Sequence, residues 1–457
     1  MFFTSAEFIV FFSAVWLLWW RFPDKRDLVI TVSGLFFLAS FGWLSAFICV
    51  ALSTANFLLA FRVRQGYYYL GAQMLNVLSI PLAGYLAHRS LFFDVSDVTS
   101  LWMAAGISFY NLQHYAYLSE VKKRTIEAET DLINYLAVSV YFPKALSGPI
   151  TFYHEIKPQF SDLPVLRAQI FPGINRIVTG FFKKMVLADG LAPSVSSVFD
   201  HNDELPGITI IAGAVLFSLQ LYFDFSGYCD MAIGFSRLLG ITLPENFLLP
   251  FRASSMTDFW RRWHVTLLKF LTHYVFLPLS FHLRRFGRHG VALSIAMVFL
   301  ISAVWHGWGI TFLLWGISHT VYMLAEHYLR RQGASGRTTL PGVVLVFFLF
   351  SFSNVFFRSP GADVCIHKLS LIFGGSFLPA EWDVELIAPL AVGGHQMDLF
   401  NFCVVLVFSM LFLLFERRIF TISESDRLRP LFLYGFVVLT FVFGVFGDTN
   451  NFIYMQF

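Results

Sequence analysis

Long apolar runs, separated by short polar or glycine-bearing interruptions, recur along the whole chain. Phe8–Trp20 is the first, and Tyr69–Ala87, Leu101–Leu118, Ile208–Phe223, Leu340–Phe357, Leu399–Phe415 and Leu431–Gly447 follow the same form. Two runs are too long for one crossing. Leu28–Phe61 and Val291–Ala325 contain no Asp, Glu, Lys or Arg. At a rise of ~1.5 Å per residue each would reach ~50 Å as one helix, against a hydrocarbon core of ~30 Å. Both must turn back. The first divides near Ser40-Phe41-Gly42. The second divides at Trp305-His306-Gly307-Trp308-Gly309, where the glycines accept backbone angles that other residues avoid. Three further segments, Leu132–Pro149, Ile170–Leu191 and Val265–Leu279, carry polar residues at intervals and read as tilted, broken or re-entrant. The pattern predicts an all-α, polytopic integral membrane protein of roughly 10–13 transmembrane or re-entrant helices.

Composition agrees. The 457 residues are 57% hydrophobic and 13% charged, against roughly 25% charged in soluble domains. Mean hydropathy is +0.66. No long polar stretch separates the apolar ones, so the chain reads as a single membrane-embedded domain over 1–457. The formal net charge of +3 is small and lies in short loops. It bears on membrane orientation and not on nucleic acid. Placing the basic clusters, Arg284–Arg288 and Arg330–Arg337 among them, in the cytoplasm puts His306 toward the far half of the membrane and the N-terminus outside. The connection from about Pro360 to Gln396 and the tail Asp448–Phe457 then fall outside as well. The N-terminus has no basic residue before its first apolar run, unlike a cleavable signal peptide. Cys49, Cys229, Cys365 and Cys403 are scattered in apolar settings and read as buried free thiols.

Candidate chemistry sits where ionisable groups interrupt apolar runs, since such groups are costly at membrane depth. His306 stands at a backbone break between Trp305 and Trp308. His319 has no break beside it and reads as a helix-packing histidine. Phe259-Trp260-Arg261-Arg262-Trp263-His264 suits a membrane interface, with Trp at the headgroup level and Arg placed to hold phosphate or carboxylate. His264 is harder to explain as an anchor. His273 and His282 follow it in steps of nine and point to opposite helix faces, so no metal site is expected. Asp224 and Asp230 directly follow an apolar run and need a partner or water, either as structural ion pairs or on a substrate path. Lys183 and Lys184 read as snorkelling lysines on an amphipathic helix. No nucleophile elbow, phosphate loop or dinucleotide fingerprint is present. A neutral histidine can take a proton from an attacking hydroxyl and return it to a leaving group, which suits acyl transfer.

These segments together resemble the membrane-bound O-acyltransferase superfamily, in its bacterial branch typified by the alginate O-acetylation membrane subunit. The resemblance rests on Gly106-Ile107-Ser108-Phe109 with Gln113, Gly148-Pro149-Ile150, and Gly180-Phe181-Phe182-Lys183-Lys184. It continues through Tyr222–Tyr228, Asp230–Gly234, Glu245-Asn246-Phe247, Phe259–His264, Trp305-His306-Gly307 and Phe452-Ile453-Tyr454. The motif-bearing core is about 101–330. The resemblance implies helices around a central tunnel, with His306 as catalytic base and His264 in a supporting or donor-positioning role. It implies an acyl group taken from a cytoplasmic thioester. Acetyl-CoA is the expected donor substrate, no bound cofactor is expected, and a separate periplasmic partner protein would complete transfer to a polymer hydroxyl. Thr272-His273-Tyr274 and Pro278-Leu279-Ser280-Phe281 depart from the alginate-type pattern after His264, so alginate itself is not implied as the acceptor.

The resulting expectation is an O-acetyltransferase of the bacterial inner membrane that serves a cell-surface or secreted polysaccharide. His306 and His264 are the catalytic pair. Trp305, Asp224, Asp230, Arg261, Arg262 and Trp263 line the substrate path. Peptidoglycan O-acetylation and D-alanyl transfer to teichoic acid are alternatives within the same chemistry. A proton-coupled transporter and a non-catalytic scaffold are alternatives from other classes.

Overall fold

The computed structural model describes residues 1–88, 99–161, 163, 166–200, 205–307, 309–329, 339–374, 397–421, 429–446 and 452–453. Trp308, the basic cluster Arg330–Arg337, most of the Pro360–Gln396 connection, Tyr454 and nearly all of the tail lie outside these residues. Among the described residues every regular element is helical. In chain order they are α1 (Ala6–Arg21), α2 (Arg26–Ala39), α3 (Trp43–Ala60), α4 (Gly66–His88), α5 (Thr99–Lys123), α6 (Leu132–Ser139) and α7 (Tyr153–Ile156). Then come α8 (Leu166–Phe181), α9 (Asp189–Phe199), α10 (Gly207–Leu238), α11 (Met256–Trp260), α12 (Val265–Leu271) and α13 (Leu277–His282). The last are α14 (Gly287–His306), α15 (Ile310–Leu329), α16 (Leu340–Arg358), α17 (Ala362–Phe373), α18 (Met397–Thr421) and α19 (Arg429–Phe443).

Among the described residues four segments are long and apolar enough to cross a membrane whole, by length and composition: Trp43–Ala60, Gly207–Leu238, Arg284–His306 and Leu340–Arg358. A fifth is the bent pair Ala6–Arg21 and Pro23–Ala39, which meet at 113°. The run Leu28–Phe61 divides as its sequence predicts. α2 ends at Ala39, and Gly42 at φ 136 caps α3 in a region that side chains avoid. The irregular segments are broken helices. α8 passes into a π-helical stretch, Phe182–Ala188, before α9, and α12 into another, Thr272–Phe276, before α13. The apolar run Ile208–Phe223 is part of a longer element, since α10 continues as one helix to Leu238 and carries Asp224 and Asp230 inside it.

The chain forms two compact units. The first comprises Met1–Phe181, Tyr228–Glu245 and Asn451–Phe457. Its core is aromatic, with Phe8 against Phe235 at 4.9 Å between ring centroids and Phe3 stacked on Tyr228 at 4.7 Å. Several polar groups inside it are paired. Trp19 Nε1 donates to the Leu239 carbonyl at 2.8 Å. His114 sits between Ser53 Oγ at 3.1 Å and the Tyr135 hydroxyl at 2.8 Å. Lys144 Nζ donates to Thr151 Oγ1 at 3.0 Å and to Gln113 Oε1.

The second unit comprises Phe182–Gly227 and Asn246–Asn450. Its organising feature is the hairpin of α14 and α15, against which α11 and α16 also pack. Ser255 Oγ caps α11 by accepting Asp258 N–H at 3.1 Å, and Thr339 Oγ1 caps α16 at 3.4 Å from Gly342 N. The hairpin helices approach closely at Gly316, where a Cβ would lie 2.7 Å from the Ala303 Cβ and 2.9 Å from the Phe299 carbonyl oxygen. Gly316→Leu is therefore expected to drive α14 and α15 apart and to cost about 1–3 kcal/mol. Gly71→Ala in α4 meets nothing within 4 Å and is expected to be neutral or stabilising. Thermal unfolding of the two purified variants in detergent checks the contrast.

Candidate active site

α14 delivers His306 as its last residue. Gly307 caps the helix, donating its N–H to the Ala303 carbonyl at 3.1 Å. The glycine is there for space and not for backbone freedom. Its φ of 172 is ordinary extended backbone, but a Cβ would run into the Phe312 ring. The chain then reverses into α15, so the fold-back expected at Trp305–Gly309 is present. The His306 side chain is held among aromatic rings and is 6% exposed. Trp305 lies at 4.8 Å between centroids, Trp315 at 5.1 Å and Phe357 at 5.4 Å, all edge-on.

His264 is buried and adopts a left-handed conformation, φ 45 and ψ 51, at the start of α12. Such a backbone at a bulky residue needs support from its surroundings. Asn246 provides it. Its Oδ1 accepts from Thr266 N at 3.2 Å and Thr266 Oγ1 at 2.9 Å and pairs with His264 Nδ1 at 3.1 Å. The Asn246 carbonyl accepts Val265 N–H at 3.0 Å. A backbone N–H can only donate, so the Asn246 atom is the oxygen and His264 Nδ1 must carry a proton. In the neutral ring this leaves Nε2 as the acceptor. Trp305 links the two histidines, with its ring 6.3 Å from His264 and 4.8 Å from His306.

The other expected residues divide. Trp263 is core, packed on Phe247 at 5.0 Å and Phe350 at 4.9 Å. Arg262 Nε donates to Asp258 Oδ1 at 2.9 Å, and Nη1 reaches the Leu248 carbonyl. Arg261 is exposed. Asp224 is buried against Lys184 Nζ at 2.7 Å, and Asp189 shares that ammonium at 2.8 Å. Asp230 belongs to the first unit, where Arg176 holds it at 2.8 Å together with Glu245. Both aspartates therefore stand in ion pairs. The snorkelling reading of Lys183 and Lys184 is corrected, because they are 1% and 2% exposed. The π-helical stretch turns both inward, where Glu416 lies 3.9 Å from Lys183 Nζ and accepts the Tyr222 hydroxyl. The thiol reading is corrected at Cys403, which is exposed, while the other three cysteines are buried. His273 and His282 are exposed, apart from the buried His264. Among the described residues no group of His, Cys, Asp and Glu converges as metal ligands.

Sequence reasoning passed over Asn246 and the carboxylates of Asp189 and Glu416. The first had a signal in Glu245-Asn246-Phe247, but its partners lie some 20 residues away, and Glu416 is 194 residues from Tyr222. Two outcomes follow from these contacts. Asn246→Leu leaves three donors around His264 and Thr266 without their acceptor, at about 1–3 kcal/mol for each group left buried. It is expected to lower the unfolding temperature. Lys184→Met strands two buried carboxylates and is expected to cost about 3–5 kcal/mol, whereas Asp224→Asn costs less because Asp189 still pairs. Denaturation of the purified variants ranks them.

The chain matches the membrane-bound O-acyltransferase family over residues 33–358, a stretch that contains both histidines and their supports. It is 32% identical over 280 residues to a probable alginate O-acetylase AlgI of Azotobacter vinelandii, covering 60% of this chain and 55% of that protein. It is 29% identical over 396 residues to a peptidoglycan O-acetyltransferase of Helicobacter pylori, covering 77% and 74%. It is 27% identical over 326 residues to a teichoic acid D-alanyltransferase of Bacillus subtilis, covering 65% and 79%. The match thus spans little more than half the length of the alginate relative. With most of its length matched and its helices apolar enough for multiple crossings, the chain belongs to the membrane-bound O-acyltransferase family.

Proposed function

We propose that this protein is an O-acyltransferase of the bacterial inner membrane. It takes an acetyl group from a cytoplasmic thioester, acetyl-CoA, and passes it across the bilayer for O-acetylation of a cell-surface or secreted polysaccharide. A periplasmic partner protein completes the transfer. The observation that carries the reading is His306 at the end of α14, buried among aromatic rings and joined to His264 through Trp305.

The chemistry follows from what those residues can do. His306 accepts the proton of the attacking hydroxyl. The hydroxyl oxygen bonds to the thioester carbonyl carbon, the C–S bond breaks, and the departing thiolate takes the proton back from the imidazolium. The thiolate is a good leaving group, so the base serves mainly the attack. His264, fixed by Asn246 with Nε2 as acceptor, orients the donor thiol end. Trp305 and the exposed Arg261 belong to the substrate path, and Arg261 suits the phosphates of the donor at a membrane surface. Asp224 and Arg262 act on that path through the ion pairs that hold their helices.

Peptidoglycan is a second acceptor supported by a specific observation. The likeness to the Helicobacter pylori peptidoglycan O-acetyltransferase covers 77% of this chain, more than the 60% shared with the Azotobacter vinelandii protein. The chemistry at His306 is the same for either polymer.

His306→Ala is expected to fold and insert normally and to lower thiol release from acetyl-CoA by about 10²–10⁴-fold, the contribution of a general base. Titration of free thiol from purified protein with a soluble acceptor alcohol measures it. Wild-type rates in the variant would remove His306 from the chemistry. Intact acetyl-CoA with the wild-type protein would favour a transporter.

A further inference from the structure

His319 lies in α15, one ring away from His306, and is wholly buried at 0% exposure. Five aromatic rings enclose it. Trp315 lies at 4.8 Å, Trp260 at 5.0 Å, Phe299 stacks at 5.8 Å, Tyr322 lies at 5.8 Å and Phe350 at 6.3 Å. Neither of its ring nitrogens has a hydrogen-bond partner among the described residues. The same holds for Trp260 Nε1, whose indole meets the His319 ring at 80°. Buried polar atoms in folded proteins are paired in the great majority of cases. A purely packing position in this box would be filled better by Phe. His319 and Trp260 together leave two N–H donors and one lone pair unused in one small region of the unit. The Trp315 ring lies against both His306, at 5.1 Å, and His319, at 4.8 Å, so the unused groups adjoin the proposed base.

We propose that Trp260 and His319 form an oxygen-binding subsite beside His306, filled by the acyl carbonyl oxygen during transfer and by water when no donor is bound. The proposal rests on the acyl-transfer reading of His306. The enclosing rings carry no charge, which disfavours an ion. Two N–H groups, one from indole and one from neutral imidazole, suit an uncharged oxygen with two lone pairs. As the acceptor oxygen bonds to the carbonyl carbon, the C=O π pair moves onto this oxygen, and the N–H bonds to it strengthen. Collapse re-forms the C=O bond and expels the thiolate, which takes the proton held by His306. His319 is in this reading a catalytic residue and not a packing one.

Two measurements decide the matter separately. A high-resolution map of the wild-type protein without donor is expected to show a water bonded to Trp260 Nε1 and a His319 nitrogen. A dry contact there overturns the subsite, whatever the enzyme's reaction. Steady-state thiol release by His319→Phe and Trp260→Phe, which keep aromatic bulk, then tests use of the site by the acyl group. Both variants are expected to melt close to wild type, to keep the donor KM, and to lose about 10²–10³-fold in kcat. His319→Gln, which restores an N–H, is expected to recover part of that loss. Wild-type kcat in His319→Phe overturns the carbonyl assignment. Absence of thiol release from the wild-type protein overturns the transfer reading instead, and the water then decides the subsite alone.

Discussion

Inside this protein a buried polar group is held mainly by partners the protein itself supplies, because apolar helices bring little water to replace one. That constraint shapes both units. In the second it appears as Asn246, whose single amide oxygen gathers Thr266 and the His264 ring and so holds a left-handed backbone at the head of α12. In the first it appears as His114 between Ser53 and Tyr135, and as Arg176 between Asp230 and Glu245. Charged groups at such depth are kept where they are matched, and the match fixes which way each helix faces. His319 stands apart from that pattern, because aromatic rings enclose it and neither of its ring nitrogens has a partner among the described residues. A ring held this way is rigid, which is what a base or a donor group needs if it is to meet a reacting atom without reorganising.

The architecture around the two histidines is economical. One indole, Trp305, touches His264 and His306, and a second, Trp315, touches His306 and His319. α14, α15 and the short α11–α12 region thereby converge on one aromatic cluster. The Gly316 approach and the Gly307 turn allow α14 and α15 to lie close enough for this. Likeness to enzymes that act on alginate, peptidoglycan and teichoic acid shows one scaffold in proteins with different polymers in their names. The aromatic cluster is the natural place for shared chemistry, and acceptor choice belongs elsewhere on the molecule.

Much of this was legible in the sequence, and the exceptions have physical reasons. The two overlong apolar runs had to turn, and they turn at Gly42 and after His306, because bilayer thickness and helix rise leave no other solution. The apolar run read from Ile208 ends at Phe223, but α10 runs on to Leu238, because packing along a buried helix outweighs the ~1 kcal/mol that serine and glycine cost it. Lys183 and Lys184 read as snorkelling because their partners, Asp189, Asp224 and Glu416, are brought together only by the fold. Gly307 was placed correctly for the wrong reason, since the Phe312 ring that demands its missing side chain comes five residues later and only after the chain reverses. The candidate base stood out in the sequence. The asparagine that supports its neighbour did not, because a hydrogen-bond network has no local pattern.

The most direct test of His306 as the base for acyl transfer across the bilayer is made with the protein reconstituted in sealed vesicles. Acetyl-CoA labelled in its acetyl group is supplied on one side and a membrane-impermeant acceptor alcohol on the other, so that the partner's step to the polymer is not required. Label should appear on the acceptor while the freed thiol stays with the donor, and vesicles carrying His306→Ala should show neither. Label that reaches the acceptor equally well in the variant, or coenzyme that crosses with its acetyl group attached, would contradict it.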